Sequence, residues 1–253
     1  MRKKLMAGNW KMNKLISELS LFFNDFAKDL KLQKGSKIEN VDIVFAVPFL
    51  QLAEAKKLAE PYGFEIAAQN VHFEPSGAFT GEISIGMLKE IGIMKTLVGH
   101  SERRQFFGET DESVAKKVSV CLKSGITPIA CVGETKEERV SGKTENVLTA
   151  QMMAIMNMID NPTGLVIAYE PVWAIGTGLT ATDDQAAEAH RFIRKLIRDK
   201  YGSLADELRI LYGGSAKPSN IAGLLSKQDI DGGLVGGASL APSDFASMVR
   251  SAM

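Results

Sequence analysis

Eight times along this chain a short apolar or β-branched run gives way to a longer stretch patterned as an amphipathic helix. That alternation restricts the fold more than any other feature. The expected strands cover residues 5–9, 42–47, 64–68, 96–99, 127–132, 165–169, 209–212 and 233–235. Between them, Leu19, Phe22, Phe23, Phe26 and Leu30 recur at helical spacing. So do Val114, Val118, Cys121 and Leu122, and later Phe192, Ile193, Leu196 and Ile197. Strand-helix alternation of this kind implies parallel strands joined by right-handed crossovers. Eight such units close most simply into a single α/β domain over residues 1–253, a (β/α)8 barrel, with a doubly wound open sheet as the alternative. No Pro/Ser-rich or charged linker divides the 253 residues.

Charge and cysteine content narrow the partners. Thirty basic residues balance thirty acidic ones, so there is no general attraction to nucleic acid or to an anionic membrane, and an anionic ligand has to be caught locally. The apolar run after Arg2-Lys3-Lys4 is too short for a signal-peptide core, and no stretch approaches a membrane span. A cytosolic protein is expected. Cys121 and Cys131 make no C-x-x-C pair, which suggests reduced thiols, and three histidines without ligand spacing give no expectation of a metal. Met152, Met153, Met156 and Met158 read as core filler on a helix.

The chemistry-bearing residues follow the strands. Glu170 ends the run 165–169, where α/β architectures place catalytic groups. Pro171 stops that strand, and Pro171 with Gly176-Thr177-Gly178 brackets Val172, Trp173, Ala174 and Ile175 as a hinged hydrophobic flap. This is the pattern of a general base beneath a lid. Asn9 and Lys11 emerge from the first strand toward the same face, and Lys11 offers a point charge for an anion. His100 follows the strand that ends at Gly99, with Ser101 expected to cap a short helix through Glu102 and Arg103. Amide N–H groups at such a helix start favour a neutral imidazole that donates a hydrogen bond. His190 reads as a surface position on a helix.

Glycine clusters follow the seventh and eighth strands, Tyr212-Gly213-Gly214-Ser215 and Val235-Gly236-Gly237-Ala238-Ser239. Loops at these two ordinals form the recurrent phosphate site of the barrel. Neither cluster is a dinucleotide or P-loop motif. A carboxylate base, a neutral imidazole, an ammonium, a phosphate cradle and a lid, with no cofactor, suit proton abstraction beside a carbonyl. The resulting enediolate oxygen would face Lys11, Asn9 and His100.

These segments resemble the triosephosphate isomerase family, in order and over nearly the whole chain. The resemblance is carried by Gly8-Asn9-Trp10-Lys11-Met12-Asn13, by Gly99-His100-Ser101-Glu102-Arg103-Arg104, by residues 168–178, by Tyr212-Gly213-Gly214-Ser215 and by Gly236-Gly237-Ala238-Ser239-Leu240. It implies a TIM barrel that interconverts dihydroxyacetone phosphate and D-glyceraldehyde 3-phosphate in glycolysis and gluconeogenesis, without a cofactor. It further implies Glu170 as base, His100 as electrophile and proton shuttle, and Lys11 and Asn9 as substrate-binding residues. Gly176, Ser215, Gly236 and Gly237 would hold phosphate through main-chain N–H groups, with Ser215 also holding the closed lid. Glu102 would support Lys11. Residues 72–85 resemble the loop that enters a partner subunit in a homodimer, with Thr80 at the interface. Leu179 departs from the family, which commonly has lysine there, and this touches the lid hinge, not the reaction.

Overall fold

The computed structural model describes residues 2–36, 38–176 and 180–253. The strands are β1 (Lys4–Asn9), β2 (Val41–Val47), β3 (Glu65–Ala68), β4 (Lys95–Val98), β5 (Thr127–Val132), β6 (Val166–Tyr169), β7 (Arg209–Tyr212) and β8 (Gly232–Val235). All pair in parallel in sequence order, and β8 closes on β1 through Leu5 opposite Gly232. The barrel is closed, so the open-sheet alternative falls away. Each strand lies within one residue of its expected bounds. The end of β4 is set by Gly99, whose φ of 72° leaves the extended region.

Outside the barrel run α1 (Ile16–Asp29), α2 (Leu52–Ala59), α3 (Ile85–Glu90), α4 (Ser101–Phe107), α5 (Asp111–Lys123), α6 (Lys136–Val140), α7 (Thr144–Met156), α8 (Asp183–Tyr201), α9 (Ile221–Leu225) and α10 (Pro242–Arg250). Local chemistry starts several of them. At α8, Gln185 N–H donates to Thr182 Oγ1 at 3.2 Å while Thr182 N–H donates to Gln185 Oε1 at 3.0 Å, which satisfies two otherwise orphaned donors. Of the four methionines, Met152 and Met156 on α7 are buried, whereas Met153 on α7 and Met158 just beyond it are exposed, so half of the expected filler faces outward.

The apolar interior divides in two. One cluster fills the barrel, with Leu5 and Ala7 from β1, Val44 and Ala46 from β2, Ala67, Leu97, Ile129, Cys131, Val166, Ala168, Leu211 and Leu234. The other lies between strands and helices and takes the alternate positions, such as Met6, Phe45, Ala130, Ile167 and Tyr169. At its centre Trp10 meets Phe22 edge-on at 4.8 Å and Phe45 at 5.7 Å, and Phe26 meets Phe45 edge-on at 5.1 Å. Such pairs add about 0.5–1.5 kcal/mol each beyond area burial. Because Trp10 is anchored there, its neighbours Asn9 and Lys11 are fixed at the barrel mouth.

His190 corrects a sequence expectation. It is fully buried on the inner face of α8, between Ala186 and Ile193, with Nδ1 2.7 Å from the Ala186 carbonyl and its ring edge-on to Tyr169. The outer lid hinge, Thr177 and Gly178, and the departure at Leu179 lie outside the described residues.

Candidate active site

Asn9 is the last residue of β1, Lys11 follows two residues later, His100 comes two after β4 and Glu170 one after β6. Ser215 comes three after β7, and Gly236 and Gly237 follow β8 directly. Parallel strands carry all of them to the carboxyl end of the barrel. There they line one cleft of about 720 Å³, together with Gly176. Glu102 lines an adjoining cavity of about 190 Å³ with Asn9, Lys11 and His100, and Thr80 lines neither.

Glu170 and His100 face each other. Glu170 Oε1 is 3.1 Å from His100 Nε2, and Oε2 accepts the Ser101 N–H at 2.9 Å. Both side chains are nearly fully buried. The start of α4 differs from expectation in one respect, because His100 itself is the capping residue and Ser101 is the first helical residue. His100 Nδ1 accepts the Glu102 N–H at 3.2 Å, which leaves Nε2 as the protonated nitrogen of a neutral ring, aimed at Glu170.

Room for Glu170 is made by two glycines. A Cβ on Gly133 would lie 1.7 Å from the Glu170 carbonyl oxygen, and one on Gly213 would lie 2.8 Å from Glu170 Cγ. Gly213 N–H donates to the Tyr169 carbonyl at 2.7 Å, so this glycine packs the site and its amide is already engaged. Cys131 lies inside the barrel, and burial, then the charge of Glu170, push its thiol well above the ordinary range. It stays a thiol, not a nucleophile.

Lys11 and Asn9 are held by an apparatus that the sequence reading missed. Lys11 adopts φ 52°, unusual for a residue with a side chain. Gln69 Nε2 donates to the Lys11 carbonyl at 2.8 Å and to the Ala46 carbonyl at 3.1 Å, and the Lys11 N–H donates to Asn9 Oδ1 at 3.0 Å. With Asn9 Oδ1 so engaged, its Nδ2 is the donor left for the cleft. Lys11 Nζ pairs with Glu102 Oε1 at 2.6 Å. Gln69 directly follows β3, so the strand-end rule that picked out Glu170 also marks it.

The flap is docked rather than loose over the part described. Val172–Ala174 forms one 3-10 turn, Ala174 is buried, and Val172, Trp173 and Ile175 are half-buried. Glu134, two residues past β5, receives Trp173 Nε1–H at 3.0 Å and Tyr169 O–H at 3.0 Å, and its carbonyl accepts the Val172 N–H at 3.0 Å. Ser215 N–H donates to the Ala174 carbonyl at 3.0 Å, tying the flap to the loop after β7. Gly176 is exposed at φ 68°. Gly237 opens a short 3-10 turn, Gly237–Leu240, where first-turn N–H groups lack intrahelical partners, and a Cβ there would meet open space.

Comparison with known proteins converges on one family. A model of the triosephosphate isomerase family matches residues 4–252. The chain is 49% identical to the triosephosphate isomerase of Endomicrobium trichonymphae, over 99% of both chains. It is 48% identical to that of Clostridium beijerinckii, over 99% of this chain and 100% of the relative. It is 46% identical to that of Cytophaga hutchinsonii, again over 99% and 100%. With the closed parallel barrel and the strand-end cleft, these matches show that the chain belongs to the triosephosphate isomerase family.

Proposed function

We propose that this chain, as one catalytic domain over residues 1–253, interconverts dihydroxyacetone phosphate and D-glyceraldehyde 3-phosphate through an enediolate, serving glycolysis and gluconeogenesis in the cytoplasm without a cofactor. The observation that carries the reading is the facing pair of Glu170 and His100, 3.1 Å apart, with the imidazole fixed as an Nε2–H donor. Glu170 takes the proton from the carbon beside the carbonyl. The C–H electrons become the C=C bond, and the carbonyl oxygen gains the negative charge. His100 Nε2–H donates to that oxygen and shuttles a proton between the two oxygens, after which Glu170 returns its proton to the neighbouring carbon. Nothing is consumed. Lys11 and the Asn9 amide stabilise the oxyanion from preset positions, which costs no reorganisation at the moment of reaction.

Phosphate is bound by the main-chain N–H groups of Gly176, Ser215, Gly236 and Gly237. Ser215 must first exchange the Ala174 carbonyl for phosphate, and Glu170 must leave the Ser101 N–H. Both exchanges couple substrate arrival to flap closure. A homodimer completes the site. Support comes from the cavity beside Lys11 and His100, which Met12 and Phe107 also line, and from the exposed apolar side chains of Met12, of Phe106 and Phe107 at the end of α4, and of Phe79 in the loop 72–85. The tip at Thr80 would occupy that cavity in a second copy.

Glu170→Asp tests the base. The shorter side chain retracts the carboxylate by roughly 1 Å, a misplacement that can lower the rate about 10²-fold. We expect kcat to fall by that order with KM changed much less. A kcat within a factor of two of the parent would assign proton removal to another group.

A further inference from the structure

Five side chains lining the cleft are titratable, namely Lys11, His100, Glu170, Lys217 and Asp244. The first three belong to the chemistry. Lys217 and Asp244 are exposed at the mouth, and among the described residues neither side chain has a hydrogen bond or ion pair. Their backbones are nonetheless placed. The Lys217 N–H donates to Asn220 Oδ1 at 2.8 Å, and Asn220 Nδ2 donates to the Ser215 carbonyl at 3.2 Å, so the turn that carries Lys217 is clamped to Ser215. Asp244 stands in the first turn of α10, shortly after the Gly237–Leu240 turn. One free cation and one free anion, among the described residues, thus border the same opening, Lys217 on the loop after β7 and Asp244 at the start of α10.

We propose that Lys217 and Asp244 act as an opposed pair of rim charges that sets capture of the phosphate dianion, Lys217 drawing it in and Asp244 limiting its residence. The proposal rests on the triose phosphate reading of the cleft. The chain has no net charge to steer an anion from a distance, and Lys11 is neutralised locally by Glu102. Charges at the mouth therefore dominate the last stage of approach, over about one Debye length, roughly 8 Å at physiological salt. Such charges change association and its salt dependence more than they change the bound chemistry.

The two neutralising variants should move in opposite directions. Lys217→Met is expected to raise KM and lower kcat/KM about two- to fourfold at low salt, with kcat unchanged and a shallower fall of kcat/KM with added salt. Asp244→Asn should raise kcat/KM by a similar factor and steepen that salt dependence. Calorimetric titration with inorganic phosphate supplies a readout without turnover, and should show weaker binding for Lys217→Met and tighter binding for Asp244→Asn. If the parent turns over triose phosphate but both variants keep its kcat/KM, salt slope and phosphate affinity, the rim pair is wrong and the function stands. The rim pair is equally wrong if both variants shift the same way, or if Lys217→Met acts on kcat. If the parent fails to turn over triose phosphate, the reading of the cleft fails first.

Discussion

Lys11 holds a left-handed backbone at φ 52°, a conformation costing a residue with a side chain on the order of 1 kcal/mol, and the segment is held by the Lys11 N–H donating to Asn9 Oδ1 and by Gln69, which donates to the Lys11 carbonyl and is itself anchored on the Ala46 carbonyl. The strained residue is the one whose ammonium pairs with Glu102 at the cleft. His190 shows a different use of a polar side chain. Burial lowers its pKa to about 4 from the ordinary 6.5, so the folded ring stays neutral. Between those values the unfolded chain takes up a proton that the folded chain refuses. Stability is therefore full above about pH 6.5 and falls as pH drops through that window. Between pH 7 and pH 5 the loss should be about 2 kcal/mol. Urea unfolding of the parent and of His190→Gln at several pH values checks this, since the variant should lose that slope whatever its absolute stability. Equal slopes would mean that another group titrates. His190 was misread as exposed because α8 is rich in charge, yet Ala186, His190, Ile193 and Ile197 share one helical face, and that spacing carried the signal.

At the scale of elements, the flap joins two fixed points. Glu134 holds its start through Trp173 and Val172, and Ser215 holds Ala174, so the proposed closure would trade one set of hydrogen bonds for another. The flap's hinged, apolar composition was legible in the sequence. Its docking was not, because Glu134 and Ser215 are distant in the chain and their partners appear only when β5, β6 and β7 lie side by side. An enediolate can expel an adjacent phosphate unless its geometry is held and water is excluded. Removing residues 174–176 should therefore slow isomerisation and raise the ratio of methylglyoxal and free phosphate to isomerised triose. An unchanged ratio would show that the segment does not guard the intermediate.

For the whole molecule, the count of eight strand-helix units anticipated closure, because each local crossover obeys one handedness and the last strand then meets the first. The glycine clusters were legible only in part. They were read as phosphate cradles, whereas Gly213 also yields space to Glu170, a contact between consecutive barrel strands that one linear motif cannot display. Assembly is the next level. The loop 72–85 is closed at its base by the His72 N–H to Ile83 carbonyl bond at 2.8 Å, and Phe79 packs against its own His72 ring at 4.3 Å, so the loop holds its shape through its own contacts, as the proposed insertion requires. Thr80→Arg should give a monomer with most activity lost, because a guanidinium in that cavity must be desolvated without a matched partner. Sedimentation and activity measured on the same sample check this, and an intact, active dimer would refute the proposed interface.

The central claim is that this barrel moves a proton through an enediolate with Glu170 as the base. It is tested most directly by incubating the purified protein with dihydroxyacetone phosphate in deuterium oxide and analysing the product by nuclear magnetic resonance. The account predicts glyceraldehyde 3-phosphate carrying solvent deuterium at the carbon next to the aldehyde, and loss of that conversion in Glu170→Gln. No turnover by the parent, or turnover in which that carbon receives only hydrogen transferred from the substrate's neighbouring carbon and no deuterium, would contradict it.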